Sequence, residues 1–225
     1  MTKGTGIFKN VDPLDIDDVL IKIETSFNIH FNRTLFIDVT TFGQFCDIVV
    51  GQIKLGDSES CTTQQAFYKL RNAISNVVNV NKNDIRPKTS LAELLSRDNR
   101  LNIIADIESE LGFKTHILQP KQWIVGALVL LLIVFIIECF FAWKIGVPGI
   151  LLSIVGLKIA DIFGKELRAN TVGDLANKIS REHYLKSRRD SATVNKKEVE
   201  QKVKELFIDY LDLNPLALTR DATFV

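Results

Sequence analysis

Residues 123–163 read WIVGALVLLLIVFIIECFFAWKIGVPGILLSIVGLKIADIF, and they set the terms for the rest of the chain. From 123 to 143 almost every residue is apolar, and Glu138 interrupts the run. At about 1.5 Å of rise per residue, roughly 20 such residues cross a hydrocarbon core about 30 Å thick. A polar break follows at Lys144, with Gly146 and Pro148 close behind. A second apolar run, 145–157, continues through Lys158 and Asp161 to Phe163. The pattern predicts a transmembrane helical hairpin with a very tight turn. Water-soluble sequence lies on both sides of it, so the two flanks are expected on one face of the membrane.

The charges around the hairpin give that face. Lys121, Lys165 and Arg168 flank it, against Lys144 at its turn. Basic residues collect on the cytoplasmic side of a membrane. Both soluble parts, and both termini, are therefore expected on the cytoplasmic side of the inner membrane. A second basic stretch, 178–189, holds Lys186, Arg188 and Arg189. It reads either as a solvated face and linker or as a contact with anionic headgroups. Glu138 lies near enough to the turn to reach the interface, although an acid inside a span can also mark ion traffic.

Bulk properties exclude more than they identify. A length of 225 residues allows one or two domains, and a net charge of +1 provides no field for nucleic acid. Residues 1–18 lack the apolar core of a secretory signal, so the first span is expected to act as its own insertion signal. Cys46, Cys61 and Cys139 are an odd set without metal-like spacing, which suits reduced thiols in a cytoplasmic compartment. His30, His116 and His183 are scattered. No Gly-rich phosphate loop, nucleophile elbow or zinc motif occurs, so neither catalysis nor a metal is expected.

The soluble sequence reads as helices. Apolar stripes predict them over 17–27, 41–50, 62–78, 91–95 and 101–111 before the hairpin, and from 171 and 195 after it. Thr41 with Gln44, Thr62 with Gln65, Ser90 with Glu93, and Thr171 with Asp174 have capping-box spacing. Residues 1–10 look loose, 51–60 and 184–194 look like polar linkers, and 212–225 looks extended. No strand of useful length is predicted.

Two segments echo each other. One is Ile23-Glu24-Thr25-Ser26-Phe27-Asn28-Ile29 followed by Thr41-Phe42-Gly43-Gln44-Phe45. The other is Ile107-Glu108-Ser109-Glu110-Leu111-Gly112-Phe113 followed, beyond the hairpin, by Thr171-Val172-Gly173-Asp174-Leu175. This pattern resembles the acyl carrier protein family, in which a helix ends in a turn like Glu-Phe-Gly-Ile and a later helix starts Thr-Val-Gly-Asp-Leu. Likenesses to the family's first helix and loop appear at Ile85-Arg86-Pro87-Lys88-Thr89-Ser90-Leu91, and at Leu211-Asp212-Leu213 with Asp221-Ala222-Thr223-Phe224.

The resemblance implies an all-α fold of acyl-carrier-like bundles plus a two-helix transmembrane hairpin. Residues 62–118 and 165–185 would form one bundle, split by the hairpin at 123–163. Residues 12–53 and 195–225 would be partial units, which need partners because a lone helix of about 15 residues is marginal in water. They would pair within one chain or between neighbours.

The family's chemistry rests on a serine, in Asp-Ser-Leu at a helix start, that bears phosphopantetheine. Here Asp12-Pro13-Leu14 stands in that place, and Pro13 has no hydroxyl. In the second copy the count reaches Arg97, with Ser96 beside it as an alternative lacking the motif. No phosphopantetheine or other cofactor is therefore expected. The expected function is a non-catalytic docking or scaffolding module at the cytoplasmic membrane face. Its partners would be membrane lipids and proteins such as acyl-transfer or lipid-synthesis enzymes, with homo-oligomers allowed and no nucleic acid. A genuine tethered carrier, or a small transporter or channel subunit, is the alternative. Lys121, Lys165, Arg168, Lys186, Arg188 and Arg189 are the expected membrane-surface contacts.

Overall fold

Asp12 starts the first helix earlier than its apolar stripe indicates. In the computed structural model, which describes residues 7, 8 and 11–224, the Asp12 carboxylate accepts the Leu14 N–H at 2.9 Å. Pro13 takes the first helical position, where a missing N–H costs nothing, and α1 runs Pro13–Phe27. After it come α2 (Phe42–Gln52), α3 (Thr62–Val78), α4 (Leu91–Leu94) and α5 (Arg100–Leu111). The two long apolar helices are α6 (Gln122–Phe141) and α7 (Trp143–Ile162). Beyond them lie α8 (Val172–Glu182), α9 (Tyr184–Ser187) and α10 (Lys196–Leu211). The described chain is mostly helical. Its four strands, β1 (Gly56–Asp57), β2 (Leu118–Gln119), β3 (Glu166–Leu167) and β4 (Thr193–Val194), have two residues each.

The chain divides into a terminal unit, Met1–Lys69 with Ala176–Val225, and a central unit, Leu70–Leu175. The division runs through α3 and α8, so it differs from a bundle bounded at 62–118 and 165–185. In the terminal unit α1, α2, α9 and α10 share one core within a single chain. Val19, Ile23 and Phe27 of α1, Phe42, Phe45 and Val49 of α2, and Val199, Val203, Leu206 and Phe207 of α10 are buried in it. Phe207 is its hub, with ring centroids 5.2 Å from Phe42 and 5.1 Å from Phe45. Phe8 is also buried there, 6.0 Å from Phe207, so residues 7 and 8 are not loose; residues 1–6, 9 and 10 lie outside the described chain, as does Val225. In the central unit the buried side chains include Leu70 and Ile74 of α3, Leu91 of α4, Ile104 and Ile107 of α5, and Val172 and Leu175 of α8.

The two units repeat each other's backbone. After α10 the chain turns at Asp212 (φ 49°); after α3 it turns at Asn79 (φ 58°). Two residues on, Asn214 accepts the Leu216 N–H and Asn81 accepts the Asn83 N–H, both at 2.9 Å. The following segment then meets the Thr-capped helix in the same way in each copy. Phe42 N–H donates to Ala222 O and Gly43 N–H to Arg220 O; Val172 N–H donates to Thr89 O and Gly173 N–H to Pro87 O. A Cβ on Gly43 would sit 2.9 Å from Arg220 O, and one on Gly173 would sit 2.8 Å from Pro87 O, so both contacts require glycine.

The structure alters several details read from sequence. Thr41 with Gln44 and Thr171 with Asp174 form reciprocal caps, but Thr62 with Gln65 does not. The Thr62 N–H donates instead to the Glu198 carboxylate, and Gln65 accepts the Arg189 N–H. Ser90 makes no side-chain cap, and its backbone bridges to Thr171. Residues 184–194 are not a linker: Tyr184 and Leu185 are core residues, and β4 pairs in parallel with β1. The break between the apolar helices falls at Ala142 rather than Lys144, and Lys144 and Pro148 lie inside α7.

Candidate functional site

Two places carry the functional question: the helix start where a carrier's serine would stand, and the base of the apolar hairpin. At the first, Asp12, Pro13 and Leu14 are exposed, and Leu14 keeps 72% of its surface open to solvent. The proline ring closes onto its own backbone nitrogen, so no side chain there can form a phosphodiester. In the second copy α5 starts at Arg100 behind the cap residue Asn99, and Ser96 lies exposed in the loop ahead of that cap. Ser96 is therefore not at a helix N-terminus, where the dipole favours a phosphate. Arg97, beside Ser96, makes an ion pair with Glu166 at 2.5 Å.

That pair stands at the hairpin base. β2 and β3 are antiparallel there, with Leu118 opposite Leu167 and Gln119 opposite Glu166. The buried Arg100 guanidinium ties the same place together, donating to Leu95 O at 2.9 Å and to Lys165 O at 2.6 Å. Above the base α6 and α7 lie against each other. Gly146 faces Cys139, where a Cβ would approach its Sγ to 2.5 Å, and Gly149 faces the Phe135 ring. Such small residues let apolar helices pack closely where no hydrophobic force drives them together. Both helices are long and apolar enough to cross a membrane. No residue of α6 is buried within the protein, whereas Gly146, Gly149 and Ser153 of α7 are.

The basic residues separate into two groups. Lys121 and Arg168 are exposed at the hairpin base, and Lys165 is half-buried there with its ammonium donating to Asp98 O at 3.2 Å. Lys186 and Arg189 are exposed in the terminal unit. Arg188 does not belong with them. It is 2% exposed and contributes no surface to a membrane. Its guanidinium donates to the hydroxyls of Thr62 at 2.7 Å and Ser60 at 2.9 Å, and to Ser60 O at 3.2 Å. A buried arginine needs such acceptors, and the polar residues of 58–62 supply them. The same cluster holds Tyr184, whose hydroxyl accepts the Asn195 N–H at 2.9 Å and whose acidity burial weakens. Lys69 joins it by donating to Lys186 O and Arg188 O, and burial lowers its pKa.

Two glutamates hold the chain that follows their helices. Glu108 accepts the Thr115 N–H at 2.7 Å, and Glu24 accepts the Phe31 N–H at the same length seven residues on. Burial raises the Glu108 pKa, but the Thr115 and Lys114 hydrogen bonds more than offset it and leave the carboxyl below its usual range. Cys46, Cys61 and Cys139 are free thiols, and burial pushes Cys46 up to about 12. Among the described residues no group of His, Cys, Asp and Glu is arranged to hold a metal.

Sequence reasoning missed Arg97 and Arg100 as parts of the hairpin base. The spacing of Arg97 and Arg100 to Lys165 and Glu166 is set by the fold and leaves no local signal. The chain matches no family model, no curated protein and no solved structure.

Proposed function

We propose that the chain is a non-catalytic, membrane-anchored docking or scaffolding module built from acyl-carrier-like bundles. The hairpin crosses the inner membrane, and both flanking parts stand on its cytoplasmic face. The observation that carries this reading is the closed hairpin base. Leu118 and Leu167 pair across it, so chain enters and leaves the apolar helices at one end. Lys121, Lys165 and Arg168 lie at that end, which suits the cytoplasmic side. Pro13 at the carrier position supports a role without a covalent arm, and binding of acyl-transfer or lipid-synthesis enzymes is the partner class that the family resemblance suggests.

Two measurements test it. Protease added to inside-out vesicles should remove both termini and leave residues 123–163 protected; protection of either terminus contradicts the topology. Co-expression with a phosphopantetheinyl transferase should leave the intact mass unchanged. A gain of one phosphopantetheine group, mapped to Ser96 or any other serine, would make the protein a true carrier.

A further inference from the structure

At the hairpin base, residues of α6 and α7 line a groove of about 370 Å³. Ile124, Leu128, Ile159 and Phe163 supply its apolar walls, and Lys121 and Lys165 also line it. Gly156 keeps the inner end narrow, since a Cβ there would come within 3.1 Å of Leu128. The groove is thus open to the surface that faces hydrocarbon if α6 and α7 span a bilayer, and its lysine end lies at the level of the headgroups.

The charge at that end is positive after internal pairing. Arg97 and Glu166 also line the groove, but they neutralise each other in an ion pair. Lys165 spends one donor on Asp98 O and keeps the rest of its ammonium available. Lys121 is exposed. Two ammonium groups above an apolar slot match one molecule: a phospholipid with a net negative headgroup. We infer that this groove holds an anionic phospholipid, with its phosphate between Lys121 and Lys165 and one acyl chain along Ile124 and Leu128. The inference rests on the membrane reading above and adds a lipid class to it.

Trp123, which precedes Ile124 and is 69% exposed, reports on the site. The chain has two tryptophans, and Trp143→Phe leaves Trp123 alone at the groove end. The variant is reconstituted in phosphatidylcholine vesicles containing either phosphatidylglycerol or phosphatidylcholine brominated near the ester end of one chain. Phosphatidylglycerol should quench Trp123 at several-fold lower mole fraction, since each lysine near an anionic surface contributes about fivefold. Lys121→Gln with Lys165→Gln should bring the ratio close to one, and Lys121→Arg with Lys165→Arg should retain it. Equal quenching by both lipids in the unaltered groove, or a preference that survives both glutamines, overturns the lipid site while leaving insertion intact. A Trp123 shielded from both lipids, while the single Trp143 of a Trp123→Phe variant is quenched, assigns the groove to a second copy and also overturns it. Absence of quenching in both single-tryptophan variants overturns the membrane reading and the lipid site together.

Discussion

The terminal unit and the central unit solve one folding problem with different intervening chain. In the first, Asn28 (φ 48°) ends α1 and a short loop leads to Thr41, which caps α2. In the second, Gly112 (φ 77°) ends α5 and the whole apolar hairpin intervenes before Thr171 caps α8. Yet the backbone bonds around Gly43 and Gly173 are the same. An insertion of this size is tolerated because its ends are held beside each other. The β2–β3 pair and Arg100 fix them locally, so the helices on either side keep the arrangement that a short loop would give. The teaching is that the fold constrains where the chain re-enters and leaves free what it does in between.

The largest expected effects lie in the two cores. Phe207→Ala should cost about 3–5 kcal/mol and Ile74→Ala about 2–5 kcal/mol, each leaving a cavity at a fully buried position. If the units are separately cooperative, hydrogen exchange after Phe207→Ala should accelerate at Phe42 and Gly43 far more than at Val172 and Gly173. Equal acceleration would merge the two units into one. Next come the close approaches: Gly43→Val and Gly173→Val should each cost about 1–3 kcal/mol by overpacking against a carbonyl. Denaturant midpoints that move for only one of them would break the equivalence of the copies.

A smaller effect in the central unit depends on pH. The Glu108 carboxyl titrates below its usual range, so its contribution is complete above that range and disappears as pH falls through the lowered value. Protection of the Thr115 amide should therefore fall in acid, and Glu108→Gln should remove most of that dependence. A Thr115 amide equally protected across the acid range would show that the contact carries no linkage. The smallest effect compares the left-handed turns. Gly112→Ala should destabilise by about 1–2 kcal/mol, because a Cβ is disfavoured at positive φ. Asn28→Gly should change stability by only a few tenths of a kcal/mol, since asparagine already tolerates that conformation. Thermal melts of the two variants rank them.

Much of this was legible from residues that act on near neighbours. The apolar run at 123–163, the Thr171–Asp174 cap and the Gly112 turn all depend on contacts within a few positions. What was not legible depends on distant partners. Thr62 is capped by Glu198, and Arg188 is buried by Ser58, Ser60 and Thr62, across separations that periodicity does not encode. The same holds at the hairpin base, where Lys165 looks like a flanking charge yet its carbonyl anchors Arg100. The turn at Ala142 was displaced from Lys144 because a polar residue looks like a break, while the close fit of Gly146 to Cys139 sets where the helices meet.

Excising residues 120–165 and joining Gln119 to Glu166 through a two-residue turn tests the central claim most directly. The account predicts a chain that purifies without detergent and retains slow exchange at Val172 and Gly173, because Gln119 and Glu166 are already paired. A shortened chain that still sediments with membranes, or one that loses protection at those two amides, would contradict a helical bundle interrupted by a membrane-crossing hairpin.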